Sequence, residues 1–312
     1  MTNSKNKLTG KVQGVRRGAV RGFAFFTLCL ALLCPSCGRG KVSDTGEELP
    51  PEERDLAAEI GRLSAAEDRG PAAGPGDGSL RRILDRAGLP EAMARRIATA
   101  AAEDPAFILD LMNCLGGDPY LRILVDKQHA LPADYEPEDL VSLKDGSYKV
   151  SRGDLRLRRA AAAALEEMAA AARAGGVILV VSSSYRSYEY QTVVYNRNVS
   201  ELGRDAADRE SSRPGHSQHQ LGLVADFGSI TDAFAETAEG RWLRDNAGRF
   251  GWSLSFPDGY EAVTGYRWES WHYRYVGRDL AAFIDAWFGG IQQYALQFIY
   301  AWEEAGKNGT AG

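Results

Sequence analysis

Two short stretches concentrate the side chains able to hold a metal. The chain has only four histidines, and two of them lie in Ser217-Gln-His219-Gln-Leu-Gly222-Leu-Val-Ala-Asp226 and in Glu269-Ser-Trp-His272. A catalytic zinc takes three nitrogen or oxygen ligands and keeps a fourth position open. His219, Asp226 and His272 offer two imidazoles and a carboxylate, and Glu269 is then a free carboxylate beside them, placed to serve as general base. Each piece also has a blander reading. A histidine near a glycine is commonly a turn residue, and an acid three positions before a histidine on a strand commonly marks a solvated edge. Positions 269 and 272 of a regular strand face opposite sides, so they can share a site only if the backbone bends at Ser270-Trp271.

The elements that must carry these residues follow from periodicity. The apolar run 177–181 predicts a buried strand, 224–227 reads as another, and 252–256 and 271–276 add two more. Ser151-Arg-Gly-Asp154 looks like a capping box opening an Ala-rich helix that runs to about Arg173 and stops at Gly175-Gly176. A helix follows at 191–202, then a polar loop at 204–213 with no periodicity, and 233–249 reads as helical. Helices set apart from a small antiparallel sheet predict an α+β domain with a zinc cleft. Upstream, 79–117 reads as two or three short helices, stopped once at Gly88 and reopened by Pro90. The segment 38–78, rich in Glu, Asp, Pro and Gly, reads as a flexible linker. The expected division is therefore 1–37 leader, 38–78 linker, 79–117 helical module, 118–290 zinc domain, and 291–312 C-terminal helix and tail.

The two ligand stretches resemble the zinc D-alanyl-D-alanine carboxypeptidases of the VanY type, whose metal site is shared with the D-Ala-D-Ala dipeptidases and the hedgehog signalling domain. The likeness continues through Leu124-Val-Asp-Lys-Gln-His-Ala-Leu-Pro-Ala-Asp-Tyr135, Ser184-Tyr-Arg-Ser-Tyr-Glu-Tyr-Gln191, Gly251-Trp-Ser-Leu-Ser-Phe-Pro-Asp-Gly259 and His272-Tyr-Arg-Tyr-Val-Gly277. It covers roughly residues 118–288, with its segments in the family's order. The resemblance implies one zinc per chain on His219, Asp226 and His272, Glu269 as catalytic base, and Arg186 as a second catalytic residue that holds substrate or, alternatively, steadies the developing oxyanion, with Gln191 and Ser217 as further substrate contacts. It implies hydrolysis of the terminal D-Ala of peptidoglycan stem peptides. An L,D-carboxypeptidase acting on tetrapeptide stems and a non-catalytic zinc-containing wall-binding module are the alternatives. Val224, Ser270, Ser255 and Tyr260 depart from the family pattern, the last two where basic residues are common. His216 and His129 read as loop or supporting residues, and Trp268, Trp271 and Tyr273 as cleft lining or core.

Charge and leader complete the picture. A net charge of −5 with pI near 5.6 excludes a generally basic nucleic-acid binder. The first 36 residues hold six basic and no acidic residues. Phe23-Ala-Phe-Phe-Thr-Leu-Cys-Leu-Ala-Leu-Leu33 follows, an apolar run shorter than the ~20 residues a membrane-spanning helix needs. This reads as a secretory signal peptide. Leu33-Cys-Pro-Ser-Cys37-Gly38 resembles a bacterial lipoprotein cleavage box, which implies lipidation at Cys37 and a membrane-anchored address in the cell envelope. Simple cleavage to a soluble protein is the other reading. A mature chain would keep at most Cys37 and Cys114, so no disulfide framework is expected.

Overall fold

The computed structural model describes residues 77–309. The expected signal peptide, the lipidation candidate Cys37 and nearly all of the linker lie outside the described residues.

The site rests on a five-stranded sheet of order β2-β4-β5-β7-β6. Its strands are β2 (Lys149–Val150), β4 (Val180–Ser183), β5 (Val224–Phe227), β6 (Trp252–Leu254) and β7 (His272–Tyr275). The sheet is mixed rather than purely antiparallel, because β2 and β4 pair in parallel. A parallel pair needs a crossover, and helix α4 (Arg159–Ala174) lies on the chain between those strands. The central pairings, β4–β5, β5–β7 and β7–β6, are antiparallel as expected. In the β5–β7 register Asp226 sits opposite His272, and Ala225 opposite Tyr273. Side chains alternate along a strand, so Asp226 and His272 share one face while Ala225, Phe227 and Tyr273 turn to the other. That second face is core, packed with Leu165, Met168, Ala169 and Ala172 of α4.

Helix α4 starts later than its apparent capping box. Ser151 and Asp154 do not cap it; Arg158 precedes its first turn. Leu155 and Leu157 are buried while Arg156 and Arg158 are partly exposed. This period-2 pattern makes β3 (Arg156–Arg158), which pairs antiparallel with β1 (Leu140–Ser142). The segment expected to be a polar loop after residue 203 contains helix α6 (Arg204–Glu210). It lacks an apolar stripe, and tertiary anchors fix it instead: Ala207 is fully buried, and Asp208 accepts from Tyr195 Oη at 2.6 Å and from Arg213. Helix α5 (Tyr188–Leu202) begins three residues before the expected start, because Ser187 Oγ accepts the Tyr190 N–H.

Three helices, α1 (Asp77–Ala87), α2 (Glu91–Glu103) and α3 (Pro105–Gly116), precede the sheet. Gly88 (φ +65°) ends the first, and Asp104 caps the third through the Ala106 N–H. They build no core of their own. Phe107 packs on Phe283, Trp287 and Phe298, which belong to α9 (Arg278–Phe288) and α10 (Gln292–Gly309). The N-terminal helices and the C-terminal pair therefore share one apolar cluster beside the sheet. The remaining helices are α7 (Ala238–Asn246) and the single-turn α8 (Glu261–Thr264). No helix among the described residues is long and apolar enough to cross a membrane.

Candidate metal centre

Each proposed ligand comes from a different local structure. His219 lies in a single 3-10 turn, Gln218–Leu221, which starts where Ser217 Oγ accepts the His219 N–H and ends at Gly222. Gly222 holds φ +69°, and a Cβ there would come within 2.8 Å of Leu140. A left-handed glycine is thus required to steer the chain from the turn into β5. Asp226 and His272 are the facing pair of β5 and β7. The bend demanded between Glu269 and His272 is present: the His272 N–H donates to Glu269 O at 3.2 Å, closing a turn through Ser270 and Trp271 just before β7. Both side chains thereby reach the same side.

The result is a tight buried cluster. His219 Nε2 lies 3.3 Å from Asp226 Oδ2, His272 Nδ1 lies 3.2 Å from Asp226 Oδ1, and the same Nδ1 lies 3.3 Å from Glu269 Oε2. Among the described residues, His219, Asp226 and His272 are the one group of three such side chains whose ligand atoms lie within 4.8 Å of one another. The Ser184 carbonyl accepts from His219 Nδ1 at 2.7 Å. That fixes the tautomer and turns the Nε2 lone pair toward Asp226. Two acceptors then face each other, and Asp226 Oδ1 is buried without a hydrogen-bond partner.

Such an arrangement calls for a cation. Burial pushes His219 down to about 4, so its imidazole is a neutral lone-pair donor. Burial also opposes charge on His272, but Asp226 and Glu269 override it and push that group up to about 9. The two carboxylates thus demand positive charge between them. Burial pushes the Asp226 carboxyl up, but His219 and His272 outweigh it and hold the group well below the usual carboxylate range. Burial raises Glu269, which suits a base that must later give its proton back. Two imidazoles and one carboxylate with a free carboxylate alongside match the donor set of a catalytic zinc, and the residues present fit that ion.

The other predicted residues gather around the same cavity of about 180 Å³. Arg186, just after β4, donates from Nη1 to Gln191 Oε1 at 2.7 Å and from Nη2 to Ser183 Oγ at 3.2 Å. It is not paired with Glu189. Gln191 is buried, and its Nε2 donates to Ser212 O at 2.6 Å and Ser211 Oγ at 3.3 Å. Ser217 lines the cavity while capping the histidine turn. His216 and His129 stand elsewhere, on the carbonyl and the carboxylate of Asp126 respectively. Trp271 lines the cavity, whereas Tyr273 is core. Ser255 bonds Gln218 and Tyr260 packs on Tyr294, so neither departure from the family pattern lines the cavity. A larger groove, about 790 Å³, lies between α1 and α2 and is lined mainly by Leu80, Leu84, Leu89 and alanines; none of the proposed ligands lines it.

Sequence reasoning passed over several supporting groups. The Ser184 carbonyl that orients His219 leaves no trace in residue type, since any residue has one. Phe256 packs on the His272 ring, with centroids 4.7 Å apart. Ser211 and Ser212, which brace Gln191, lay in the stretch read as a plain loop.

Comparison with known proteins places the chain among carboxypeptidases. Residues 154–278 match the VanY family model, described as D-alanyl-D-alanine carboxypeptidase. The chain is 40% identical over 183 residues to YodJ of Bacillus subtilis (strain 168), which carries a carboxypeptidase name, covering 56% of this chain and 67% of that one. It is 36% identical over 173 residues to a D-alanyl-D-alanine carboxypeptidase of Enterococcus faecalis (strain ATCC 700802 / V583), spanning 52% of this chain and 60% of the relative. Among solved structures, the LdcB LD-carboxypeptidase matches with a TM-score of 0.52 and 36% identity, covering 56% of this chain and 84% of LdcB.

Proposed function

Because the chain belongs to the VanY family of D-alanyl-D-alanine carboxypeptidases, we propose that it is a zinc-dependent D,D-carboxypeptidase removing the C-terminal D-Ala from peptidoglycan stem peptides. The observation that carries this reading is the buried His219–Asp226–His272 cluster with Glu269 beside it and Arg186 on the same cavity. A zinc ion held by those three ligands supplies Lewis acidity to the scissile carbonyl and lowers the pKa of water toward neutrality. Glu269 accepts the proton of the attacking water and delivers it to the leaving amine, first as base and then as acid. Arg186 presents a guanidinium that can hold the free terminal carboxylate through parallel hydrogen bonds, and Gln191 fixes its direction. A wall-binding module with a purely structural metal would have no use for the free carboxylate of Glu269.

A second reading is an L,D-carboxypeptidase acting on tetrapeptide stems; the likeness to LdcB favours it. The basic leader, the apolar run and Cys37 support export to the cell envelope and a lipid anchor. Incubating the protein with pentapeptide and tetrapeptide stems and reading mass losses separates the two activities. Loss of one alanine from the pentapeptide alone is the expected result. Loss from the tetrapeptide alone would replace the D,D assignment with the L,D one, and no loss from either would remove the peptidase reading.

A further inference from the structure

The cavity that holds the metal cluster extends onto α5, where Val194, Arg197 and Asn198 join its lining. Three and four residues apart, these side chains share one helix face. The cationic groups along the cavity differ in their commitments. Arg186 is bonded to Gln191 and Ser183, and the acidic Glu210 is paired with Arg267 at 3.2 Å. Arg197 has neither an ion pair nor a side-chain hydrogen bond among the described residues, and it is exposed at the rim. A guanidinium turned to a cleft with no protein anion to meet it is available to a ligand anion, and the planar fork suits a carboxylate.

Its distance from the terminal-carboxylate position can be set by helix geometry. Arg197 follows Gln191 by six residues on α5, which places it about 9 Å further along the axis at 1.5 Å per residue. An extended peptide advances about 3.3–3.6 Å per residue. If the terminal carboxylate rests on Arg186 beside Gln191, Arg197 stands two to three residues upstream of it. Val194 and the exposed Ile230 give apolar flanks, and Asn198 adds a neutral donor beside the cation.

We propose that Arg197, assisted by Asn198, is a specificity residue for peptides carrying a free carboxylate two to three residues before the C-terminal residue. This deepens the carboxypeptidase reading and rests on it for the direction of the bound peptide. Stem peptides with an unamidated acid there would be preferred over their carboxamide forms. The contact is rim-exposed, so it acts on binding more than on the chemical step, and salt weakens it.

The test compares free-acid and amidated versions of one stem peptide. Their kcat/KM ratio in the parent should be about five to ten, carried by KM and shrinking between low and high salt. Arg197→Gln should bring the ratio to about one, and Arg197→Lys should restore part of it. Affinities of the same two peptides for Glu269→Gln and for Glu269→Gln with Arg197→Gln give the ratio without turnover. If no peptide is hydrolysed, the carboxypeptidase reading falls while this binding ratio still decides the role of Arg197. An acid preference that survives Arg197→Gln, or is absent from the parent in both measurements, would overturn the proposal.

Discussion

Replacing Gln191 by alanine should lower turnover chiefly by releasing Arg186. The Gln191 amide uses both ends inside the protein: Oε1 accepts from Arg186 Nη1 at 2.7 Å, and Nε2 donates to Ser212 O at 2.6 Å. Alanine removes these bonds, together with the weaker one from Nε2 to Ser211 Oγ at 3.3 Å, and leaves the guanidinium held by Ser183 Oγ at 3.2 Å and by its own backbone. A hydrogen bond to a charged group is worth about 1.5–3 kcal/mol. If that orientation is lost to catalysis, kcat/KM should fall about 10- to 150-fold. Arg186→Ala removes the carboxylate contact itself and should cost at least as much. When Arg186 is already absent, Gln191 has nothing left to orient, so the second substitution should add little. A double-mutant cycle on stem-peptide hydrolysis should therefore show a coupling close to the whole Gln191 loss, about 1.5–3 kcal/mol, with zinc content equal in all four proteins. Additive losses would refute this, and would mean that Gln191 meets the substrate on its own account.

The remaining predictions concern stability and address. Asp126 accepts from the Gln128 and His129 N–H groups and from Gln293 Nε2 of α10 at 2.7 Å; burial pushes its carboxyl up, but these bonds outweigh burial and hold it below the ordinary value. A depressed folded pKa contributes stability that is present above about pH 4 and is lost as pH falls through the lower folded value. Asp126→Asn should thus cost roughly 1–3 kcal/mol at pH 7 in urea unfolding and flatten the acid limb, and an unaltered acid limb would contradict it. Gly240→Ala should destabilise by about 1–3 kcal/mol or more, because the new Cβ would lie 2.1 Å from the Phe234 carbonyl oxygen, a backbone atom that cannot step aside; an unchanged melting temperature would count against that packing. Cys37→Ser should move the protein from membrane to soluble fractions and abolish any lipid mass on the N-terminal peptide, and an unchanged distribution would favour simple cleavage.

The centre was legible because its chemistry is written in rare residue types. Two of the chain's four histidines belong to the cluster, and the ordered motifs around them tied distant segments together. The bend at Ser270-Trp271 could be inferred as a necessity before it was seen as the turn from Glu269 to His272. Strands β5 and β7 fell close to their expected places because their burial is nearly complete. Local signals failed where tertiary contacts prevailed. Ser151 and Asp154 have the spacing of a cap, yet the alternating burial of Leu155 and Leu157 drew the chain into β3. Helix α6 has no stripe to read, since one buried alanine, the Asp208–Arg213 ion pair and the Tyr195–Asp208 hydrogen bond hold it. The parallel edge pair β2–β4 could not be read, because a two-residue strand carries no periodicity. The common core of α1–α3 with α9 and α10 depends on contacts such as Phe107 with Phe298, which span most of the chain.

In the proposed mechanism Glu269 is the proton carrier next to a zinc held by His219, Asp226 and His272. Release of D-Ala from a pentapeptide stem by Glu269→Gln, with bound zinc counted in the same sample, tests it most directly. The substitution keeps side-chain volume and all three ligands. Zinc should stay near one per chain while the catalytic rate falls by about 10²–10⁴-fold. Hydrolysis at the parental rate with zinc in place would contradict the mechanism.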